Sequence, residues 1–109
     1  MKHSALIIGA FTATDTGFTG KLDTLAVKAS VVFERNEDKR KDSQPDFIVL
    51  SHGKEIGVAW EGSGERGSYV SVSFEEPSLA PGFYTLARSG ADKSYQLLYR
   101  KPTSHKDRN

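Results

Sequence analysis

The chain has no cysteine among its 109 residues, which excludes a disulfide framework, a thiolate metal site and a cysteine nucleophile. This absence suits a reducing compartment, and the cytoplasm is the expected location. No apolar run approaches the roughly 20 residues that a membrane-crossing helix needs. The short run in the N-terminal MKHSALIIGAF lacks a signal-peptide cleavage pattern, so no membrane association is expected. Charge of one sign is also missing: 15 basic against 14 acidic residues leave a formal +1. Nucleic-acid binding would therefore have to come from local clustering and not from a bulk electrostatic pull.

Catalytic and metal-binding patterns are absent as well. His3, His52 and His105 stand in separate segments without zinc-ligand spacing. The many serines include no G-x-S-x-G elbow, and no His and Asp pair is recognisable to activate one. Glu75-Glu76 and Glu61/Glu65 read as solubility charge on turns. A non-enzymatic protein without metal or cofactor is the expectation.

What the sequence does contain is alternation with a period of two, interrupted at regular intervals by turn residues, with no helical stripe lasting three turns. Strands are expected over Leu6 to Thr12, Phe18 to Leu25 and Val27 to about Arg35. A charged loop, ERNEDKRKDSQPD, separates these from Phe47 to Leu50, whose continuous apolar character predicts a buried strand. His52-Gly53 supplies a turn into the strand carrying Ile56, Val58 and Trp60. The stretch bearing Val70, Val72 and Phe74 follows, then a connection between Pro77 and Pro81 with room for a short helical turn. Phe83 to Arg88 and Tyr95 to Lys101 form a final hairpin. The fold class is all-β, a small antiparallel barrel or two-layer sandwich of about seven to eight short strands. Residues 1–101 read as one domain and 102–109 as a polar tail.

Gly62-Ser63-Gly64-Glu65-Arg66-Gly67 fits G-x-G-x-x-G, the glycine pattern of dinucleotide sites. Those sites need a helix after the glycines, whereas SYVSVSF is a strand. A kinase glycine loop would need a second lobe that 109 residues do not hold. The run reads as a hairpin tip. Parity around that tip places Ile56, Val58 and Trp60 in the core with Val70, Val72 and Phe74. It leaves Gly57, Ala59, Tyr69, Ser71 and Ser73 on the opposite face, a flat small-residue platform with one aromatic. Lys39, Arg40 and Lys41 form a compact basic triplet in an otherwise balanced loop. Together with Arg66 and Tyr69 they are the candidate contact residues.

Ile8-Gly9-Ala10-Phe11, Gly17-Phe18-Thr19-Gly20, Pro45-Asp46-Phe47, Glu55-Ile56-Gly57-Val58-Ala59-Trp60 and Tyr69-Val70-Ser71-Val72 through Glu76-Pro77-Ser78-Leu79 occur in this order. As a set they resemble the bacterial DUF736 family over about Ile7 to Tyr99. The resemblance implies a small, helix-poor cytoplasmic protein, frequent on plasmids and integrated conjugative elements, with no assigned activity and no catalytic residues to carry over. The chain departs from that pattern at Ile48, where relatives often have arginine or another polar residue, and in its longer charged loop. The expected function is a non-enzymatic binding module of a mobile genetic element that contacts nucleic acid through the sheet face and basic loop. The alternative is an inhibitor or adaptor acting on a host defence or regulatory protein complex, through the same face or a free strand edge. A homodimer is compatible with either.

Overall fold

The computed structural model describes residues 5–65, 67–90 and 93–101. Eight strands follow one another: β1 (Leu6–Ala13), β2 (Gly17–Asp23), β3 (Lys28–Arg35), β4 (Phe47–Ser51), β5 (Lys54–Gly64), β6 (Gly67–Phe74), β7 (Phe83–Arg88) and β8 (Ser94–Arg100). Each pairs antiparallel with the next, and β8 returns to β1 from Leu6↔Tyr99 to Thr12↔Ser94, so the sheet closes into a barrel. Of the two architectures open to the sequence, the seam between β1 and β8 selects the barrel. Closure gives each described strand a neighbour on both sides, so the free strand edge expected as one option for partner binding is absent from the barrel wall.

The meander puts the β1–β2, β3–β4, β5–β6 and β7–β8 connections at one rim, here called the upper rim, and the others with both described ends at the lower rim. The turn signals act locally. His52 and Gly53 take φ of 52° and 78°, the two left-handed central residues of a type I′ hairpin turn between Ser51 and Lys54. Between Pro77 and Pro81 there is a single hydrogen-bonded turn, Leu79 N–H to Glu76 O, and no helix. Tyr84 donates to Ala80 O and Tyr99 to Pro81 O, which fastens this connection to the lower rim. Among the described residues no helix is long and apolar enough to cross a membrane.

The interior is filled, not hollow. Phe11, Phe18, Phe33 and Phe47 are buried from several strands and meet edge to face, with centroids 5.5 Å apart for Phe11 and Phe33 and 5.9 Å for Phe18 and Phe33. Val31, Val49, Val72, Leu86 and Leu97 complete the packing. Such aromatic pairs add about 0.5–1.5 kcal/mol each beyond their burial.

β5 reverses the expected parity. Gly57 and Ala59 are the buried residues, while Val58 and Trp60 are only half-buried on the outer surface. Trp60 therefore is not a core residue. The physical reason is space: a Cβ at Gly57 would stand 2.4 Å from Ser73 O and 3.0 Å from the Phe74 Cα. With Phe47 opposite Ala59 and Phe74 opposite Gly57, the inner side accepts only small residues, so the large ones turn outward. Ile56 still packs against the core, next to a register shift between Val49 and Leu50. In the same way β4 is buried on one side only. Phe47 and Val49 point inward, and Ile48 and Leu50 are half-buried on the outside.

Candidate functional site

The upper rim and the outer face beside it gather most of the residues that sequence singles out. Ser63↔Ser68 and Gly64↔Gly67, with Gly62↔Tyr69 at their base, pair in a hairpin arm that extends beyond the last rungs to β4 and β7, Phe47↔Ala59 and Tyr69↔Ala87. The glycine run is the tip of that arm. Arg66, at its crown, lies outside the described residues, as do His3, His105 and the tail 102–109.

Tyr69 faces outward, 38% exposed, with exposed Ser71 and Ser73 following it along β6. Its ring lies against the backbone of Gly62, where a Cβ would come within 2.7 Å of Cζ. The glycine lets the ring lie down on its cross-strand neighbour. Trp60 pairs with Ser71, one diagonal step from Tyr69, so the two aromatics share the outer surface. Trp60 is the residue that sequence reasoning missed there. The available signal was Gly57 and Ala59, two small residues in register with large core side chains.

The charged loop is fastened to this surface. Trp60 Nε1 donates to Ser43 O at 3.1 Å. Asp46 accepts from Lys39 Nζ at 2.6 Å through one oxygen and from the Glu61 N–H at 2.9 Å through the other. Asn36 donates its side-chain amide to Pro45 O, closing the base of the loop. The Lys39 ammonium beside Asp46, aided by the Glu61 N–H, holds that carboxyl below the usual aspartate range. Of the basic triplet, Lys39 is thus engaged in an ion pair whose side chains are 28% and 17% exposed. Arg40 and Lys41 remain exposed on the loop that hangs from Trp60, and their backbone N–H groups both donate to the Gln44 side chain.

Inside the rim, Arg35 stacks its guanidinium 4.7 Å from the Phe47 centroid and contacts Glu61 at 3.6 Å. Phe18 meets Phe47 and Tyr95 at 5.5 and 4.8 Å. Under the arm lies a cleft of about 370 Å³, lined by Phe18, Glu61, Ser63, Ser68, Tyr69 and Tyr95, among others.

A second surface feature runs across β3, β4 and β5. Val32 pairs with Leu50 and Ile48 with Val58, all turned outward and half-buried, and Trp60 continues the stripe upward. Among the described residues no three His, Asp or Glu side chains come together as a metal site. His52 sits exposed in its turn at the lower rim, away from the arm.

Residues 7–102 match the family model DUF736, described as a protein of unknown function. The chain belongs to the DUF736 family. No curated protein matches it, and neither does any solved structure. The motif Glu55-Ile56-Gly57-Val58-Ala59-Trp60 that carries the resemblance acquires a structural meaning in this DUF736 barrel. Its Gly and Ala make room for the aromatic core, and its Trp anchors the loop over the outer face.

Proposed function

We propose that this DUF736 protein is a non-enzymatic binding module whose partner is another protein, engaged by the outer face of β3 to β6. The observation that carries the reading is the outward apolar stripe Val32, Leu50, Ile48 and Val58, which runs into Trp60 and lies one step from Tyr69. Interfaces are enriched in such aromatic anchors, and a chain with formal charge +1 exerts no bulk electrostatic pull on a polyanion. The mobile-element setting that the family implies suits an inhibitor or adaptor acting on a host complex in the cytoplasm.

Affinity capture from nuclease-treated host lysate tests this. The intact protein should retain a partner that Ile48→Asp and Val58→Asp lose, both variants remaining folded because these side chains face outward. Retention by the variants at the level of the intact protein sinks the reading.

A second reading, nucleic-acid binding, is favoured by one observation: exposed Arg40 and Lys41 lie on the loop that is anchored by Trp60, the residue one diagonal step from Tyr69. With Lys39 held by Asp46, two phosphate contacts give a single-strand salt slope of about −1.4. Aromatic stacking would then supply about 1–3 kcal/mol per base. Oligonucleotide binding no stronger than that of a neutral control protein at low salt eliminates it.

A further inference from the structure

The cleft under the hairpin arm has a chemistry that the outer face does not share. Glu61 and Ser63 on β5, with Ser68 and Val70 on β6, are cross-strand pairs on the inner side of the arm and look over the barrel mouth. Phe18 and Tyr95, ring centroids 4.8 Å apart, form the floor, and Tyr69 borders the opening. The volume of about 370 Å³ lies at the small end of the roughly 300–1,000 Å³ usual for ligand sites. It is lined by one acidic residue, three aromatic residues and two serines, and none of its described lining residues is cationic.

Aromatic faces beside a carboxylate attract a cation, and a planar guanidinium suits them best because it both stacks and donates in a fork. The rim already shows this pairing once: Arg35 lies over Phe47 and reaches Glu61. That contact is a single one of 3.6 Å between side chains each 51% exposed, so the carboxylate has room for a second donor.

We propose that the cleft receives an arginine side chain of the protein partner, its guanidinium seated against the aromatic floor and hydrogen-bonded to Glu61. This rests on the protein-binding reading and specifies the partner as one that presents a basic segment to the upper rim. The outer apolar stripe and the cleft then act as two parts of one interface, joined through Tyr69.

The test uses the pentapeptide acetyl-Gly-Gly-Arg-Gly-Gly-amide and its citrulline counterpart, which has nearly the same shape but no charge. Each is titrated into isotope-labelled protein while the amide resonances are followed. The arginine peptide should produce saturable shifts at Gly62, Ser63 and Ser68 with a dissociation constant on the order of 1 mM. The citrulline peptide should bind about tenfold more weakly, the difference expected for loss of a charge-assisted hydrogen bond. Glu61→Gln should weaken the arginine peptide about tenfold. Because that variant also frees Arg35, Ser68→Leu provides an independent check: it fills the cleft from an exposed position, leaves the Glu61–Arg35 contact in place and should abolish the shifts. Equal binding of the two peptides, undiminished binding to Ser68→Leu, or no saturable shift overturns the proposal. Ile48→Asp separates it from the outer-face reading, since it should keep the peptide while losing the protein partner. Loss of the partner by Ile48→Asp with no peptide binding to the intact protein would overturn the cleft alone.

Discussion

Asp46 is where the charged loop meets the barrel. Its backbone N–H donates to Ala59 O, while its two carboxylate oxygens take Lys39 and the Glu61 N–H. Asp46→Asn keeps the shape but removes the charge, and should lower stability by about 1–2 kcal/mol in chemical denaturation. The sign with pH follows from the direction of the shift. A carboxyl held below its unfolded value contributes fully above the ordinary aspartate range, and that contribution is lost as pH falls through the lowered folded value. Trp60 emission should therefore change in this acid window as the Ser43 contact loosens, and the change should be absent in Asp46→Asn. A contrast between glycines tests the packing. A Cβ at Gly20 would lie 2.1 Å from Ala10 O and 2.7 Å from the Phe11 ring, whereas at Gly64 the nearest atom is 3.7 Å away. Gly20→Ala should cost about 3 kcal/mol or more and Gly64→Ala under about 1 kcal/mol, read from urea midpoints.

At the scale of the strand, alternation made most elements legible. Phe18, Gly20 and Leu22 face one way and Thr19, Lys21 and Asp23 the other, as their period-two pattern predicts, and β3 repeats this with Val31 and Phe33. β5 defeats the same rule because both of its faces carry candidate core residues. Hydrophobicity favours Val58 and Trp60, but the volume already occupied by Phe47 and Phe74 favours Ala59 and Gly57, and volume wins in a closed interior. No single-strand pattern contains that information, since it belongs to the neighbours in register. Continuous apolar character misleads in β4 for a related reason, Ile48 and Leu50 being surface residues of a stripe and not buried ones. Of the candidate contact residues, Tyr69 could be placed correctly from parity alone. The engagement of Lys39 could not, because it depends on a loop folding back seven residues to Asp46. The reversal has an energetic consequence. Trp60→Ala should cost less than Phe33→Ala, for which about 3–5 kcal/mol is expected at a fully buried position. Denaturation of the two variants side by side measures this, and an equal loss would return Trp60 to the core.

For the whole molecule, the decisive contact is the seam between the first and last strands, which pairs Leu6 with Tyr99 and Thr12 with Ser94. Composition and turn spacing fit a barrel or a sandwich equally, because both use the same alternating strands; only long-range closure separates them. Closure also brings the described ends, Ala5 and Lys101, to the same rim, where a linker of about five residues, reaching roughly 16–18 Å when extended, can join them. A circular permutant with that linker in place of residues 102–109 and 1–4, and with new ends between His52 and Gly53, turns β8 and β1 into a hairpin. It gives up only the type I′ turn. It should fold to the same barrel with stability reduced by about 1–3 kcal/mol, because the broken connection lies in an exposed turn. Circular dichroism and urea unfolding check the fold, and hydrogen exchange should show the amides of Gly9 and Phe11 protected as strongly as those of Phe33 in the permutant. In a sandwich with β1 and β8 on separate sheets the linker would strain or prevent folding, so a permutant that fails to fold would count directly against the closed seam.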